Sequence, residues 1–333
     1  MATRHYNIPV FVPEEGCPHR CIFCNQFGIT CTATAPLPEE VPSIVAEWRS
    51  RFNSEGSHIE LAFFGGSFTG IGTGKQEAYL DQAYKLKQEG IIHAIRLSTR
   101  PDYIDPERIE RLLRYGVSTV ELGAQSMDDS VLRASGRGHT SAQVAHATGM
   151  LQAAGIGVVL QMMTGLPGDT PEGAIRTAHE IIALRPEGTR IYPCLVMKGS
   201  PLEQRYDEGK YTPQSLEEAV VLAATLSEIF EESEVKVLRI GLHPSAAGEV
   251  VAGPWHPSFS ELVASEKWGR RLLQEINPEN PHRSIAIYCP PKQVNAVAGF
   301  NASNRKRLSC YFDQIRIYAD PRLKGTMLHV DYL

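Results

Sequence analysis

The sequence alternates between strand-like and helix-like segments, repeating roughly every thirty to forty residues. Strand patterns lie at Ile8–Val12 and at about 58–64, 92–98, 118–124, 156–163 and 189–197. Helical patterns run from Pro38 to about 52 and at about 74–89, 106–115, 140–154 and 171–184. Gly90, Gly116 and Gly155 stand where three helices are predicted to end, because glycine is favoured just past a helix C-terminus. Such repeats build a parallel sheet with right-handed crossovers. We therefore predict an α/β protein with a partial (β/α)6 barrel.

The unusual residue clusters follow the predicted strands. They are the cysteine-rich segment after the first strand, then residues 65–67, 98–102, 125–126, 162–168 and 198–199 after the next five. In parallel barrels the loops at the carboxyl ends of the strands carry the active site. The pattern therefore predicts one functional face.

Three cysteines, Cys17, Cys21 and Cys24, lie within eight residues in the spacing C-x3-C-x2-C. A strand would point them to alternate faces, so they can share one metal centre only in a loop. Closed zinc and iron–sulfur sites use four protein ligands, whereas three cysteines on a four-iron cluster leave one iron open to a substrate or cofactor. The spacing favours such a cluster. The alternatives are a zinc site completed by His19 or Cys31, and three unligated thiols.

These cysteines, with the aromatic Phe23 before the last of them, resemble the signature of the radical S-adenosylmethionine (SAM) enzymes. The resemblance implies that Cys17, Cys21 and Cys24 hold a [4Fe-4S] cluster whose fourth iron binds SAM. It implies reductive cleavage of SAM to a 5′-deoxyadenosyl radical that abstracts hydrogen from a substrate. A one-electron donor of the flavodoxin or ferredoxin type is then expected, and no catalytic side chain is assigned.

SAM contacts are also implied by the resemblance. Gly65, Gly66 and Ser67 resemble the GGE-like motif that binds the SAM amino group, although Gly-Gly is also ordinary turn material. In oxygen-independent coproporphyrinogen III oxidase and the Elongator catalytic subunit, a glutamine ending strand four and an arginine twelve residues later contact SAM. Gln125 and Arg137 have that spacing here. The alternative for Arg137 is a solvated surface charge.

Further motifs are similar in order and spacing to the radical SAM domain of the Elongator catalytic subunit. They are Thr99-Arg100-Pro101-Asp102 and residues 120–126, 135–140, 162–168 and 191–193. Ser98, a candidate SAM contact, replaces the family's usual acidic residue, so that hydrogen bond comes from elsewhere or is missing. The Elongator subunit's acetyltransferase domain is not expected, because too few residues follow, and acetyl transfer to tRNA is therefore not carried over.

Composition limits the other functions. The chain of 333 residues has 33 basic and 38 acidic side chains, a net charge of −5, so no global field attracts nucleic acid or an anionic membrane. Neither a signal peptide nor an apolar run of membrane-spanning length is indicated, and we expect a cytoplasmic protein without membrane contact. The odd count of seven cysteines argues against a disulfide framework. We interpret Cys194, Cys289 and Cys310 as small buried hydrophobes.

His139 and Lys198 lie on the predicted functional face, and each could meet substrate or merely pair with a carboxylate. The latter interpretation is favoured for both. His243 and His256 lie on or beside a loop at 245–257 and lack a partner cluster, so we interpret them as turn residues.

We predict a radical SAM core over residues 1–244 and a small α/β accessory domain over 245–333. Near the boundary, a polar connection at 200–214, a helix at 216–230 and a strand at 235–242 are expected. The accessory domain is predicted to contain strands at 284–289, 314–319 and 327–332, and a helix from Pro291.

The substrate is left open between RNA and a small molecule. Arg305, Lys306 and Arg307 follow the turn at Gly299, an arrangement similar to that of KH modules but without the second glycine of GXXG. A solvated basic turn is the favoured interpretation. A non-catalytic iron–sulfur or zinc protein is the alternative from another functional class.

Overall fold

The structure, a computed structural model, describes residues 4–13, 17, 21–25, 34–52, 56–242 and 248–333. The chain forms two compact units. Unit 1 comprises Met1–Ser215 and Ile229–Trp255, and unit 2 comprises Leu216–Glu228 and His256–Leu333. The single boundary between residues 244 and 245 stays a prediction.

Unit 1 is built on one parallel sheet. Its strands are β1 Arg4–Val12, β2 Ser57–Gly65, β3 Ala94–Thr99, β4 Thr119–Gln125, β5 Gly157–Thr164, β6 Gly188–Pro193 and β8 Lys236–Ile240. They are hydrogen-bonded in the order β1-β2-β3-β4-β5-β6-β8, and every neighbouring pair is parallel. The predicted partial barrel is confirmed, and β8 adds a seventh strand to it.

A contact across the sheet shows its curvature. Arg190 on β6 lies over the ring of Phe64 on β2, with its Cζ atom 5.5 Å from the ring centroid. Neighbouring strands are about 4.8 Å apart, so β2 and β6 would be about 19 Å apart in a flat sheet. The sheet is therefore curled into a half-barrel, and Phe64 and Arg190 lie on its concave face.

Helices in unit 1 alternate with the strands. They are α1 Val41–Ser50, α2 Thr73–Gln88, α3 Pro106–Arg114, α4 Asp129–Ala134, α5 Ser141–Ala153, α6 Pro171–Ala183 and α7 Pro201–Asp207. Asp105, Thr140 and Thr170 cap α3, α5 and α6, because each side chain accepts a backbone N–H of the first turn. Leu61, Leu97, Leu122 and Leu160 face away from the concave side and are fully buried.

Three parts of unit 1 differ from the sequence prediction. The strand predicted at 189–197 is two strands, because β6 ends at Pro193 and β7 (Val196–Met197) pairs antiparallel with β9 (Val250–Ala252). The connection predicted at 200–214 contains α7, and α4 was not predicted. Both helices are too short to show a clear apolar period. The helix predicted from Pro38 begins with a 3-10 turn, Pro38–Glu40, before α1.

Unit 2 has its own mixed sheet. Its strands are β10 Ser284–Cys289, β11 Gln314–Ala319 and β12 His329–Tyr332, in the order β11-β10-β12. The helices are α9 Phe259–Glu275, α10 Val294–Ala298 and α11 Ser303–Leu308, and α8 (Leu216–Glu232) begins in unit 2 and ends in unit 1. The three strand predictions and the helix after Pro291 are confirmed. The sequence analysis missed α9, although Phe259, Val263, Trp268 and Leu272 are buried along it at helical spacing.

The isolated cysteines and histidines fall in different environments. Cys194 and Cys289 are buried, as predicted. The prediction for Cys310 was wrong, since it is exposed just after α11. His256 accepts the Ser258 N–H through Nδ1 at 3.0 Å and is a turn residue, while His243 lies outside the described residues.

Among the helices that the structure describes, none is both long enough and apolar enough to cross a membrane.

Candidate functional site

The turn after β2 lies against the end of β1. Gly66 donates its N–H to the Val12 carbonyl at 2.9 Å, and Gly65 has φ +117°. A Cβ atom on Gly65 would lie 2.9 Å from the same carbonyl oxygen, closer than real Cβ contacts. Glycine is therefore required, because only it allows this backbone conformation and this close approach.

The described part of the cysteine loop (residues 17–24), which is Cys17 and residues 21–24, is held by this turn and by two helices. The Cys17 thiol lies 3.8 Å from Oγ of the buried Ser67, within hydrogen-bond range for sulfur. Ile22 donates its N–H to the Ser135 carbonyl at 3.1 Å and accepts the N–H of Leu202 at 2.7 Å. Cys24 N–H bonds the Cys21 carbonyl at 3.0 Å. The described part of the loop is thus fixed to the ends of β2, α4 and α7.

Arg137 joins the cysteine loop to β4. It is only 6% exposed and lies between Gly136 and Gly138, both with positive φ. Its Nη1 donates to Cys21 Sγ at 3.1 Å and its Nη2 to the Gly123 carbonyl at 2.7 Å. The structure contradicts the solvated-charge alternative, because this guanidinium is buried and donates to Cys21, one of the three proposed cluster ligands.

A second buried guanidinium lies beside the first. Arg100 is 3% exposed, donates to Asp102 through Nε and Nη2 at 2.9 Å each, and donates to the Arg137 carbonyl. Burial alone would lower the pKa of Arg100, but Asp102 and the sulfurs of Cys21 and Cys17 raise it overall. Two buried cations therefore lie close to two of the three proposed cluster ligands.

Gln125 ends β4 in a strained turn. Ser126 N–H bonds the Ala124 carbonyl at 2.9 Å, and φ at Gln125 is +67°. A three-residue turn with positive φ is the rare form of γ-turn and costs roughly 1–3 kcal/mol. The β4–β5 register also shifts between Gly123 and Gln125. Strain of this kind is common where a side chain must be aimed at a ligand.

His139 supports that turn. It is 4% exposed, and its Nε2 lies 3.2 Å from the Ala124 carbonyl. A carbonyl only accepts, so Nε2 carries the hydrogen and Nδ1 offers a lone pair. Burial, together with the charges of Arg137 and Arg100, lowers the pKa of His139 from 6.5 to about 4. The imidazole is neutral at pH 7, and its bond to a backbone carbonyl differs from the carboxylate pairing favoured in the sequence analysis.

Ser98 and Lys198 occupy different positions. Ser98, on β3, pairs in register with Glu121 on β4 and therefore lies on the concave face. Its Oγ is buried and has no hydrogen-bond partner among the described residues. Lys198 is exposed, and its carbonyl accepts a hydrogen bond from Asn25 Nδ2 at 2.6 Å. The main chain of Lys198 thus closes over the end of the cysteine loop.

A charged network on the concave face was missed by the sequence analysis. Glu121, fully buried, accepts from Arg96 Nη1 at 2.8 Å and from Arg190 Nε and Nη2 at 2.7 and 2.9 Å. Gln161 donates to the same carboxylate, and Arg96 also donates to Glu60. Burial alone would raise the pKa of Glu121, but Arg190 and Arg96 lower it overall. The available signal was charged residues alternating with apolar ones inside predicted strands.

The residues present fit a cluster and SAM. Within the described ranges no three His, Cys, Asp or Glu side chains form a ready-made metal site, and His19 and Cys31 lie outside those ranges. Five buried polar atoms around the loop and turns have no hydrogen-bond partner in the described chain: Ser98 Oγ, Arg100 Nη1, Ser135 Oγ, Arg137 Nε and His139 Nδ1. Each would cost about 1–3 kcal/mol if left unpaired. Thiols beside buried cations suit an anionic cluster, and the donors and acceptors suit a polar cofactor next to it.

Curated proteins align with much of the chain. This chain is 30% identical over 242 residues to the tRNA uridine(34) acetyltransferase of Dehalococcoides mccartyi, and the alignment covers 62% of this chain and 52% of that protein. The protein of that name from Methanocaldococcus jannaschii is 28% identical, and the alignment covers 77% of this chain and 54% of that protein. Human Elongator complex protein 3 is 34% identical over 135 residues, covering 40% of this chain and 25% of that protein. The chain spans about half the length of the two acetyltransferases.

Solved structures share the fold. Archaeal Elp3 from Methanocaldococcus infernus, with an N-terminal deletion, superposes with a TM-score of 0.66 at 24% identity, covering 82% of this chain and 64% of that one. Residues 11–181 match the family described as the Radical SAM superfamily, and residues 186–268 match the Radical_SAM C-terminal domain. The chain therefore belongs to the radical SAM superfamily of enzymes, which use a [4Fe-4S] cluster and SAM.

Proposed function

We propose that this chain is a tRNA-modifying radical SAM enzyme that abstracts hydrogen from a nucleotide. The observation that supports the chemistry best is the buried Arg137 guanidinium between Cys21 Sγ and the Gly123 carbonyl. The observation that supports the substrate class is the similarity of this chain to two proteins named tRNA uridine(34) acetyltransferase. The acetyl transfer in that name is not part of the proposal.

In this proposal Cys17, Cys21 and Cys24 hold the cluster. The loop geometry supports the assignment, because Cys17 lies beside Ser67 and Cys21 beside Arg137. When bound, the cluster and SAM together supply reductive cleavage of SAM and the radical that takes a hydrogen atom. This chain's residues supply charge, orientation and exclusion of water.

SAM is proposed to lie along the turns next to the loop. Its contacts would be Gly65, Gly66, Ser67, Ser98, Gln125 and Arg137. Arg137 retains a buried Nε–H and Ser98 a buried hydroxyl for this purpose. A guanidinium suits the SAM carboxylate, and the Gln125 amide suits ribose hydroxyls. Neutral His139 offers Nδ1 as an acceptor without adding charge near the sulfonium.

The concave face would exclude water beneath the cofactor. Glu121 is fully buried and Arg96 and Arg190 are mostly buried, so their charges are satisfied by each other rather than by solvent. Electron entry is proposed at Cys17, which is exposed, from a donor of the flavodoxin or ferredoxin type. A cytoplasmic location belongs to the same proposal, because a reducing compartment keeps the three thiols available.

The test has two stages. Protein reconstituted anaerobically with iron and sulfide is mixed with SAM and dithionite, and 5′-deoxyadenosine is measured against a Cys21→Ala control. Formation of 5′-deoxyadenosine by wild type but not by Cys21→Ala supports the enzyme assignment. A [4Fe-4S] spectrum without any 5′-deoxyadenosine would instead favour a non-catalytic iron–sulfur protein.

The second stage tests the substrate. Total tRNA and the small-molecule fraction from a deletion strain are each incubated with the enzyme and deuterium-free SAM in deuterated buffer. Nucleosides and metabolites are then compared by mass spectrometry. A new or altered nucleoside supports the tRNA proposal. A change confined to the metabolite fraction would contradict it.

A further inference from the structure

The sheet of unit 2 has one covered and one uncovered face. Ile285 and Ile287 of β10 pack in a core with Trp268 and Leu272 of α9, and Ile315 and Val330 of the outer strands pack against that core. Residues on the opposite face alternate with these. The helices therefore cover only one side of the three strands.

Three rings lie in one row across the other face. Tyr288 on β10 pairs in register with Tyr318 on β11 and with His329 on β12, so all three side chains share a face. The Tyr288 and Tyr318 rings are stacked, with centroids 5.4 Å apart and planes at 27°. The Tyr288 and His329 centroids are 6.1 Å apart. Tyr318 is 43% exposed, so this row, the ring row, reaches solvent at β11.

The residues beside the ring row are polar or small. The next register row contains Arg316, Ala286 and Asp331, and the exposed Arg316 lies two residues before Tyr318 on the same strand. Asp331 Oδ1 is 2.7 Å from His329 Nε2. Among the described residues of this face, Ala286 is the only aliphatic side chain on the paired positions.

Exposed basic residues lie on β11 and just after it. Unit 2 as a whole contains 11 Lys and Arg against 10 Asp and Glu, whereas the whole chain has a net charge of −5. Arg322 and Lys324 follow β11 in sequence and are exposed, and Arg322 pairs with Asp320 at 2.8 Å. The exposed cations Arg316 and Lys324 favour a polyanion on this side of the sheet, while aliphatic protein surfaces find little apolar area on this face.

We propose that the ring row is a stacking surface for unpaired bases of single-stranded RNA. Flat rings stack on the face of any base, and a sheet with exposed aromatics beside basic residues binds single strands in this way. Arg316 contacts the phosphate backbone of the stacked strand. The inference rests on the proposed action on tRNA and adds where unpaired nucleotides of that substrate bind.

The experiment measures binding rather than catalysis. Full-length reconstituted protein is titrated, by fluorescence anisotropy under anaerobic conditions, into three labelled probes: a single-stranded oligouridine, a duplex RNA of equal length, and tRNA. Tyr318→Ala should weaken single-strand binding about 5- to 150-fold, the range expected for loss of one stacked base. Tyr318→Phe keeps the ring and should bind like wild type. Tyr206→Ala removes a comparably exposed tyrosine of α7 and should also change nothing.

Arg316→Gln gives a second readout. It should reduce the slope of log affinity against log salt for single-strand binding by the amount expected for about one phosphate contact. Duplex binding should stay unchanged. Unchanged affinity in Tyr318→Ala, when wild type binds the oligonucleotide and tRNA, would overturn the ring row but leave the proposed function standing. Wild type that binds neither the oligonucleotide nor tRNA would overturn both the ring row and the proposed function.

Discussion

Arg137 and Cys21, 116 residues apart in the sequence, are joined by a hydrogen bond from Nη1 to Sγ across 3.1 Å. The guanidinium is buried and also bonds the Gly123 carbonyl of β4. It could therefore compensate the negative charge of a Cys21 thiolate in the proposed cluster, while its buried Nε has no hydrogen-bond partner among the described residues. One side chain thus couples the proposed cluster to the proposed SAM site.

Replacing any of the three loop cysteines with alanine should abolish the cluster. Three thiolates are the minimum set for a cluster with one open iron, so Cys17→Ala, Cys21→Ala and Cys24→Ala should each lose iron. Wild type should contain about four irons per chain after anaerobic reconstitution, measured by colorimetric iron analysis. Burial raises the pKa of Cys194 to about 12, so this cysteine stays a thiol and Cys194→Ala is the matched control. Wild-type iron in a loop variant, or iron loss in the control, would refute the ligand assignment.

Arg137→Ala should keep iron but weaken SAM binding. Loss of a charged hydrogen-bond partner costs about 1.5–3 kcal/mol, or roughly ten- to 150-fold in affinity. The measurement is SAM affinity by equilibrium dialysis on reconstituted protein. Arg133→Ala is the control, since Arg133 is exposed on the same segment. An unchanged SAM affinity with a normal iron content would show that Arg137 acts only on the cluster or the fold.

Some of this architecture could be predicted from the sequence. Apolar runs ending in glycine-rich turns located the strands, and β10 and β11 were predicted to the residue. The Glu121–Arg190 pair was not predictable, because its members are 69 residues apart and meet only when the sheet curls. The turn at Gln125 could not be predicted either, because nothing in the residue types indicates a positive φ at a residue other than glycine.

Glu121→Gln should strongly destabilise unit 1. Glu121 is fully buried between two arginines, and removing the carboxylate leaves their charges uncompensated. Loss of one partner of a buried pair costs about 3–5 kcal/mol. The exposed Glu47–Arg51 pair is the comparison, and Glu47→Gln should cost less than about 1 kcal/mol. Urea unfolding measures both, and equal effects of the two substitutions would contradict the interpretation.

His139 should make stability fall as the pH is lowered. Its pKa is about 4 in the folded chain against an ordinary 6.5, so below pH 6.5 the unfolded chain binds a proton that the folded chain does not. The contribution of neutral His139 to the free energy of unfolding is fully present above pH 6.5 and is lost progressively toward pH 4. At pH 5.5 the loss should be about 1–1.5 kcal/mol relative to pH 7.5. Urea unfolding of wild type and His139→Gln at pH 7.5 and pH 5.5 isolates the contribution of His139. Identical pH dependence of stability in the two proteins would refute this prediction.

The basic turn of unit 2 provides the last prediction. Gly299 has φ +82° and is required by packing, because a Cβ would lie 2.3 Å from Ser303 Oγ. Glycine is therefore needed by the backbone of the turn itself and does not indicate a ligand. Arg305 and Lys306 are exposed, while Arg307 pairs with Glu266 at 3.1 Å. If the turn contacts tRNA, about two cations rather than three are available to phosphates.

Changing Arg305, Lys306 and Arg307 together to alanine should then weaken tRNA binding equally for all sequences. The slope of log affinity against log salt should fall by about 0.7–0.9 for each phosphate that the variant no longer neutralises, or about 1.5 in total. Filter binding at two or more salt concentrations measures this slope. A control variant removes three exposed basic residues of unit 1: Arg51, Lys85 and Arg114. If both variants reduce the slope equally, the effect is one of net charge and the turn does not bind RNA; if neither changes it, the ring row alone remains as the RNA contact of unit 2.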